Sequence, residues 1–220
     1  MDRQRAYLLL RKAHTLTGVI PVGVFLVAHL VTSSKMLDGR EAWNERVHRT
    51  QSTWGWPAVE WAAILVPLAA HAILGLWLLA GRRADVAPLA SAPAWSSVAQ
   101  RATALCAFAF IVLHLWEYRV QRSLGALPFG EMVDRLASSL EGRLLFVPYL
   151  LGISATVFHF ANGLWRFSVS SGIARTPGAQ RAAAIVLGLG GILMWICWLD
   201  LLAHFHAGGP LLGWLGGAGE

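Results

Sequence analysis

The sequence predicts an all-α protein, an integral membrane bundle of five transmembrane helices. The first observation is composition: 56% of the 220 residues are hydrophobic and only 14% are charged, with a mean hydropathy of +0.53. A soluble domain of this size is far less apolar. The second is the presence of five apolar runs of about 20 residues, the length that crosses a hydrocarbon core of about 30 Å. We therefore expect one membrane domain covering residues 1–220.

Each apolar run is interpreted as one membrane-spanning helix. The predicted spans are about 15–37, 58–80, 98–118, 144–168 and 182–203. Three prolines, Pro21, Pro67 and Pro148, lie within these runs. Proline is tolerated inside membrane helices because neighbouring helices satisfy the freed carbonyls, so kinks rather than breaks are expected.

Basic residues before the first run resemble the start of a secretory signal. That run is too long for the apolar part of a signal, however, and no A-x-A-like cleavage site follows it, so we interpret it as a retained helix.

The segment EMVDRLASSLEG has Met132, Val133, Leu136 and Leu140 on one side. It predicts a short amphipathic helix on the outer surface of the membrane.

The distribution of basic residues predicts a cytoplasmic N-terminus. With this orientation, ten of the 18 Lys and Arg residues lie on the cytoplasmic side: Arg3, Arg5, Arg11, Lys12, Arg82, Arg83, Arg101, Arg166, Arg175 and Arg181. The bias is small but has the expected direction. Because the basic residues are scattered over short loops without interleaved aromatic residues, a nucleic-acid partner is excluded.

Four histidines occur one apiece in four successive apolar segments, at His29, His71, His114 and His159. Ionisable side chains are costly at bilayer depth, so each is a candidate functional residue. A single histidine could equally form a hydrogen bond that holds two helices together. Four of them in this arrangement favour two pairs of axial ligands to haem iron.

The depth of each histidine predicts how they pair. His29 and His114 lie past the midpoints of outward-running helices, whereas His71 and His159 lie past the midpoints of inward-running ones. At a rise of 1.5 Å per residue each is displaced by roughly 3–8 Å from the membrane centre. We therefore predict an outer pair, His29 with His114, and an inner pair, His71 with His159.

Paired imidazoles favour electron transfer, because a haem iron with both axial positions filled has no open site for oxygen. A zinc site would need three or four ligands at one level. Cys106 and Cys197 lie within apolar runs, and the sequence has no CxxC or CxxCH motif. A haem here would lack thioether attachment and would be of the b type.

Several motifs together resemble one family. They are RKAHTLTGVIPVGVFLVAHL at the start, HLWEYR after the third run, LEGRLLFVPYLLGISATVFHFANGLW with its FHFxNGLW core, and TPGAQR before the fifth run. They resemble the di-haem cytochrome b membrane anchor of succinate dehydrogenases and fumarate reductases, in its bacterial single-subunit, five-helix form. The resemblance extends over nearly the whole chain and implies that residues 1–220 are a single membrane-anchor domain.

The resemblance implies two haem b groups and two peripheral partners in the bacterial cytoplasmic membrane. The partners are a flavoprotein with FAD and an iron–sulfur protein, docked on the cytoplasmic side. In the family, electrons from succinate reach a quinone, usually menaquinone for this type. The implied ligands are His29 and His114 for the outer haem and His71 and His159 for the inner one.

Three further residues are candidates for a quinone site on the outer side. Glu117 follows His114 by three residues and so lies on nearly the same helix face, where it could relay protons to a quinone. The alternative is an interfacial glutamate balanced by Arg119. Glu60 at the outer start of the second run and His48 in the outer loop are weaker candidates, and His48 could simply be solvated.

On the inner side, Arg11, His14 and Arg101 are candidates for binding haem propionates or an acidic partner face. Taken alone, each of these residues could simply be one of the basic residues that membrane proteins concentrate on the cytoplasmic side.

Two other functional classes remain open. One is the cytochrome b subunit of a hydrogenase or formate dehydrogenase, against which FHFxNGLW argues, and the other is a transporter or structural membrane protein without a cofactor.

Overall fold

A computed structural model describes residues 3–81 and 94–207 of the chain. Within these residues the structure is helical and contains no strand. Five helices are long and apolar enough to cross a membrane: Gln4–Asp38, Trp56–Ala80, Trp95–Ser123, Leu144–Ser170 and Pro177–His206. The chain is thus a multi-pass membrane protein, and the all-α, five-helix prediction is confirmed.

The helices extend beyond the predicted apolar runs, most clearly at the first, which begins near Gln4 instead of residue 15. Apolar composition marks only the part inside the bilayer, whereas backbone hydrogen bonding continues into the polar ends. The helices continue through all three prolines. A π-helical turn, Gly18–Val22, contains Pro21, and another, Glu60–Leu65, precedes Pro67. A third, Leu115–Val120, directly follows His114.

Successive helices run in opposite directions, so the bundle has two sides. We call the side where the first spanning helix begins the N-terminal side, and the other the opposite side. The most extensive contacts join the third helix to the fourth and the fourth to the fifth, and the first helix packs along the second. Of the residues used to assign orientation, Arg82 and Arg83 lie outside the described ranges.

Apolar side chains cover the outside of the bundle. Val24, Ile73 and Leu189 are 65%, 67% and 61% exposed, which suits contact with lipid. Exposed tryptophans stand near helix ends, such as Trp95 on the N-terminal side and Trp116 on the opposite side, as expected for the membrane interface.

The buried core lies towards the opposite side. It joins residues of the fourth and fifth spanning helices, including Tyr149 and Trp198, to two short helices. These are Arg40–Gln51 and Met132–Glu141. The second is the predicted amphipathic helix, and its Val133 and Leu140 are buried.

An exposed ion pair connects the two short helices. Arg40 Nη1 donates to Asp134 Oδ2 at 2.6 Å. The hydrogen bond and charge of Asp134 raise the pKa of Arg40 above its ordinary value. Such solvent-exposed pairs contribute little to stability, so the buried apolar core holds these helices in place.

Candidate functional site

The four histidines of the apolar segments form two pairs, each bridging two helices. The His29 and His114 rings have centroids 5.8 Å apart with an interplanar angle of 65°. Those of His71 and His159 are 6.2 Å apart at 75°. These are the pairs that helix depth predicts, and their role as ligands remains a prediction.

On the N-terminal side, His71 is held by a reciprocal contact with His14 on the first helix. The Nδ1 atom of His71 lies 2.8 Å from the carbonyl oxygen of His14. In return, the Nδ1 atom of His14 lies 3.0 Å from the carbonyl oxygen of His71. The two rings stack with centroids 4.1 Å apart. His14 thus lies in the contact between the first two helices, where its ring braces His71.

Two glycines make this close approach possible. Each follows one of these histidines by four residues, in the segments HTLTG and HAILG. A Cβ atom added at Gly18 would overlap the His71 ring, and one at Gly75 would lie 2.9 Å from His14 Cε1. Small residues let membrane helices approach each other closely. Here they leave room for an imidazole against the opposing backbone.

His159 is held by the third helix. Its Nδ1 atom lies 3.2 Å from the carbonyl oxygen of Gln100. The amide nitrogen of Gln100 lies 3.1 Å both from the carbonyl oxygen of His159 and from His159 Nδ1. Asn162 Nδ2 in turn donates to Gln100 Oε1 at 2.6 Å. Both histidines of this pair therefore have a backbone carbonyl within reach of Nδ1, so Nε2 is the ring nitrogen that can bind a ligand, although the Gln100 amide nitrogen also lies 3.5 Å from His159 Nε2.

On the opposite side, His114 lies beside a buried carboxylate. The hydroxyl of Tyr149 donates to Glu117 Oε2 at 2.7 Å and is 3.5 Å from His114 Nδ1. Glu117 is only 7% exposed. His29 stacks on Phe25 and contacts Trp198. A carboxyl group is thus held next to this pair by a tyrosine of the fourth helix.

The interpretation of Glu117 as a glutamate balanced by Arg119 is wrong. Arg119 pairs with Glu60 of the second helix, with 3.0 Å between Nε and Oε1. Residues two apart on a helix point in different directions, so Arg119 turns away from Glu117. Glu60, a weaker candidate for the quinone site, therefore forms an ion pair with Arg119.

The remaining predicted residues lie near the two ends of the bundle. His48 is exposed on the short helix Arg40–Gln51. On the N-terminal side, Arg11 is half-buried and Arg101 is exposed, and Arg166 Nη1 donates to Ser97 Oγ at 3.2 Å near the start of the third helix. These three arginines form a basic set on the side that holds His71 and His159.

The geometry fits haem iron better than other metals. Metal–imidazole bonds are about 2 Å long, so two axial imidazoles place their ring centroids about 6 Å apart. Both observed pairs have nearly this separation. In the described parts of the chain, no three His, Cys, Asp or Glu side chains converge as a zinc site would require. Each pair therefore offers two imidazoles to a metal ion.

Sequence reasoning did not identify Tyr149, Gln100 or Asn162 as site residues. Their partners are distant along the chain, so no local pattern indicates these contacts. The available signal was polarity, because Gln100 lies within an apolar helix and Asn162 within the FHFxNGLW motif. Polar residues inside membrane helices generally face a partner, and this rule could have identified both.

The fold and the site define a multi-pass membrane protein with two paired-histidine sites. The chain is 35% identical to the succinate dehydrogenase cytochrome b558 subunit of Bacillus subtilis (strain 168), over 80% of this chain and 86% of that protein. The chain therefore belongs to the family of succinate dehydrogenase cytochrome b subunits, and it is a non-catalytic subunit of that enzyme. No family model and no solved structure matches it. The alternative assignment to a hydrogenase or formate dehydrogenase is not favoured.

Proposed function

We propose that this chain holds two haem b groups and connects an iron–sulfur partner to a quinone in the membrane. His29 and His114 would bind one haem, and His71 and His159 the other. The observation that carries the proposal is the pair of inter-helix ring separations, 5.8 and 6.2 Å, at two levels of one bundle. The family relationship to a cytochrome b subunit supports it independently.

The residues around each pair would prepare it for iron. Since His71 and His159 can each donate their Nδ1 proton to a backbone carbonyl, the tautomer with a free Nε2 is favoured at both. Haem bound between two imidazoles carries single electrons and leaves no open position for oxygen. The lipid-covered helices would exclude water from both sites.

The N-terminal side is proposed to face the bacterial cytoplasm and to bind the partners. Arg11, Arg101 and Arg166 all lie on this side, and such a basic set attracts anionic haem propionates or an acidic protein face. The partners would be the flavoprotein with FAD and the iron–sulfur subunit of succinate dehydrogenase. Quinone, with menaquinone as the expected type, would be reduced on the opposite side near Glu117.

A redox titration of membranes containing the complex tests the proposal. We expect the reduced-minus-oxidised visible spectrum to resolve two low-spin components, with two haem b per chain by pyridine haemochrome. Both components should be reducible with succinate when the two peripheral subunits are present. A stoichiometry of one haem per chain would contradict it.

The proposed role of Glu117 predicts a defect in quinone reduction. A quinone that accepts two electrons also takes up two protons, and the Glu117 carboxyl beside His114 could deliver them. We expect Glu117→Gln to lower succinate–quinone activity by roughly 100-fold, within the range for loss of a general acid. Both haem spectra should remain. The measurement is steady-state turnover of the purified complex with a soluble quinone analogue.

The matched control for Glu117→Gln is Glu45→Gln, which removes an exposed carboxylate that pairs with Arg49 on its own short helix. That variant should retain full activity. If Glu117→Gln also retained full activity, protons would have to reach the quinone by another route.

A further inference from the structure

The third and fourth spanning helices share a polar network next to His159. We propose that Gln100 and Asn162 are positioning residues that fix the orientation of the His159 imidazole. The inference rests on the proposed function, in which His159 binds the haem on the N-terminal side. Gln100 and Asn162 are not proposed as ligands, and both would act through His159.

The network links the residues in a linear series of hydrogen bonds. Ser96 Oγ donates to Asn162 Oδ1 at 3.1 Å, and Asn162 Nδ2 donates to Gln100 Oε1 at 2.6 Å. Gln100 Nε2 then donates to the carbonyl oxygen of His159 at 3.1 Å. Ser96 is almost fully buried, with 1% of its surface exposed. Each of these polar groups therefore has a hydrogen-bond partner.

Asn162 determines which way the Gln100 amide points. Because Gln100 Oε1 accepts from Asn162, the Gln100 nitrogen must face His159. If this amide were reversed, its oxygen would face the carbonyl oxygen of His159 and its nitrogen would face Asn162 Nδ2. Both hydrogen bonds would be lost, and unsatisfied polar groups are costly in the interior of a membrane, so these two contacts favour the observed orientation.

The Gln100 backbone completes the arrangement. Its carbonyl oxygen lies 3.2 Å from His159 Nδ1, so this nitrogen can donate its proton there when Nε2 binds a metal. The side chain and the main chain of one residue thus contact both the backbone and the ring of the ligand. Asn162, three residues after His159, lies on nearly the same face of the fourth helix. This accounts for the asparagine of the FHFANGLW motif.

The test is the ligation state of the haem in the intact complex. A haem iron with two axial imidazoles has no position for carbon monoxide. In Gln100→Met, which has similar length but no amide, we expect part of the haem bound by His71 and His159 to become high-spin and to bind carbon monoxide after reduction. The haem at His29 and His114 should remain low-spin, and its unchanged spectrum shows that the bundle is folded.

The matched control is Gln180→Met. Among the described residues, the Gln180 amide nitrogen bonds only to the carbonyl oxygen of Ala174, near the start of the fifth helix. Its replacement should leave both haems low-spin and inert to carbon monoxide. A high-spin fraction equal to that of Gln100→Met would show that loss of any amide in this region loosens the site, and would overturn the proposal.

Asn162→Leu provides a second, independent variant because it leaves Gln100 in place but removes the hydrogen bond from Asn162 to the Gln100 amide oxygen. We expect the same high-spin species in smaller amount. The double variant should match Gln100→Met alone, since residues acting through one network are not additive. Additive effects, or wild-type spectra in Gln100→Met, would overturn the inference. Failure of the proposed function would look different, because His159→Ala would then leave the haem content unchanged.

Discussion

Replacing His71 or His159 with alanine will remove the same haem, and replacing His29 or His114 will remove the other. Each variant should lose half of the haem and one component of the reduced-minus-oxidised spectrum. The physical reason is that each pair bridges two helices at the separation that one iron requires, and a single imidazole cannot hold a six-coordinate low-spin iron. Pyridine haemochrome quantification and a redox titration of each variant measure the effect.

The control for this series is His48→Ala, because His48 is exposed on a short helix outside the membrane-spanning bundle. It should retain both components at full amplitude. Loss of the same component in His29→Ala and His71→Ala would show that the pairing is wrong. Loss of both haems in every ligand variant would instead indicate that the haems are needed for the bundle to fold.

Gly18→Ala is expected to remove the haem at His71 and His159 while leaving the other in place. The added methyl group would overlap the His71 ring, reaching 2.6 Å from Nδ1, whereas real Cβ contacts stay above 3.0 Å. The ring can swing away at little cost to the fold, but a metal ligand must keep its position to within about 0.5 Å. We therefore expect half the haem content and a single spectral component.

Gly190→Ala is the matched control, because an added Cβ there meets nothing within 4 Å. It adds the same methyl group to a membrane helix and should leave both haems intact. Gly75→Ala should have an intermediate effect, since its methyl group would approach His14, which touches His71 but is not proposed as a ligand. Full haem content in Gly18→Ala would contradict the proposed position of His71.

Much of the architecture could be predicted because membrane physics acts locally along the chain. The hydrocarbon core demands long apolar helices, and these are visible in composition alone. The depth of His29, His71, His114 and His159 follows from their position within each run, so their pairing could also be predicted. The exact ends of the helices could not be predicted, because hydropathy ends at the bilayer surface whereas the helix at Gln4 does not.

The surroundings of each histidine depended on lateral packing. Glu117 could be placed beside His114 by helical spacing, but its partner is Tyr149 of the fourth helix rather than the nearby Arg119. Likewise, no local pattern connects Gln100 with His159, or His14 with the His71 carbonyl. Which faces of two helices meet depends on the shape of many side chains at once, with small residues such as Gly18 setting the distance.

The helix count, the membrane location and the four candidate histidines therefore follow from composition and spacing, since the bilayer imposes the same length and polarity on every span. The orientation of each imidazole, the buried Tyr149–Glu117 contact and the Gln100–Asn162 network arise only when the helices pack. Inside a membrane a polar side chain must find its partner on another helix, and that partner is chosen by three-dimensional contact rather than by neighbourhood in the chain.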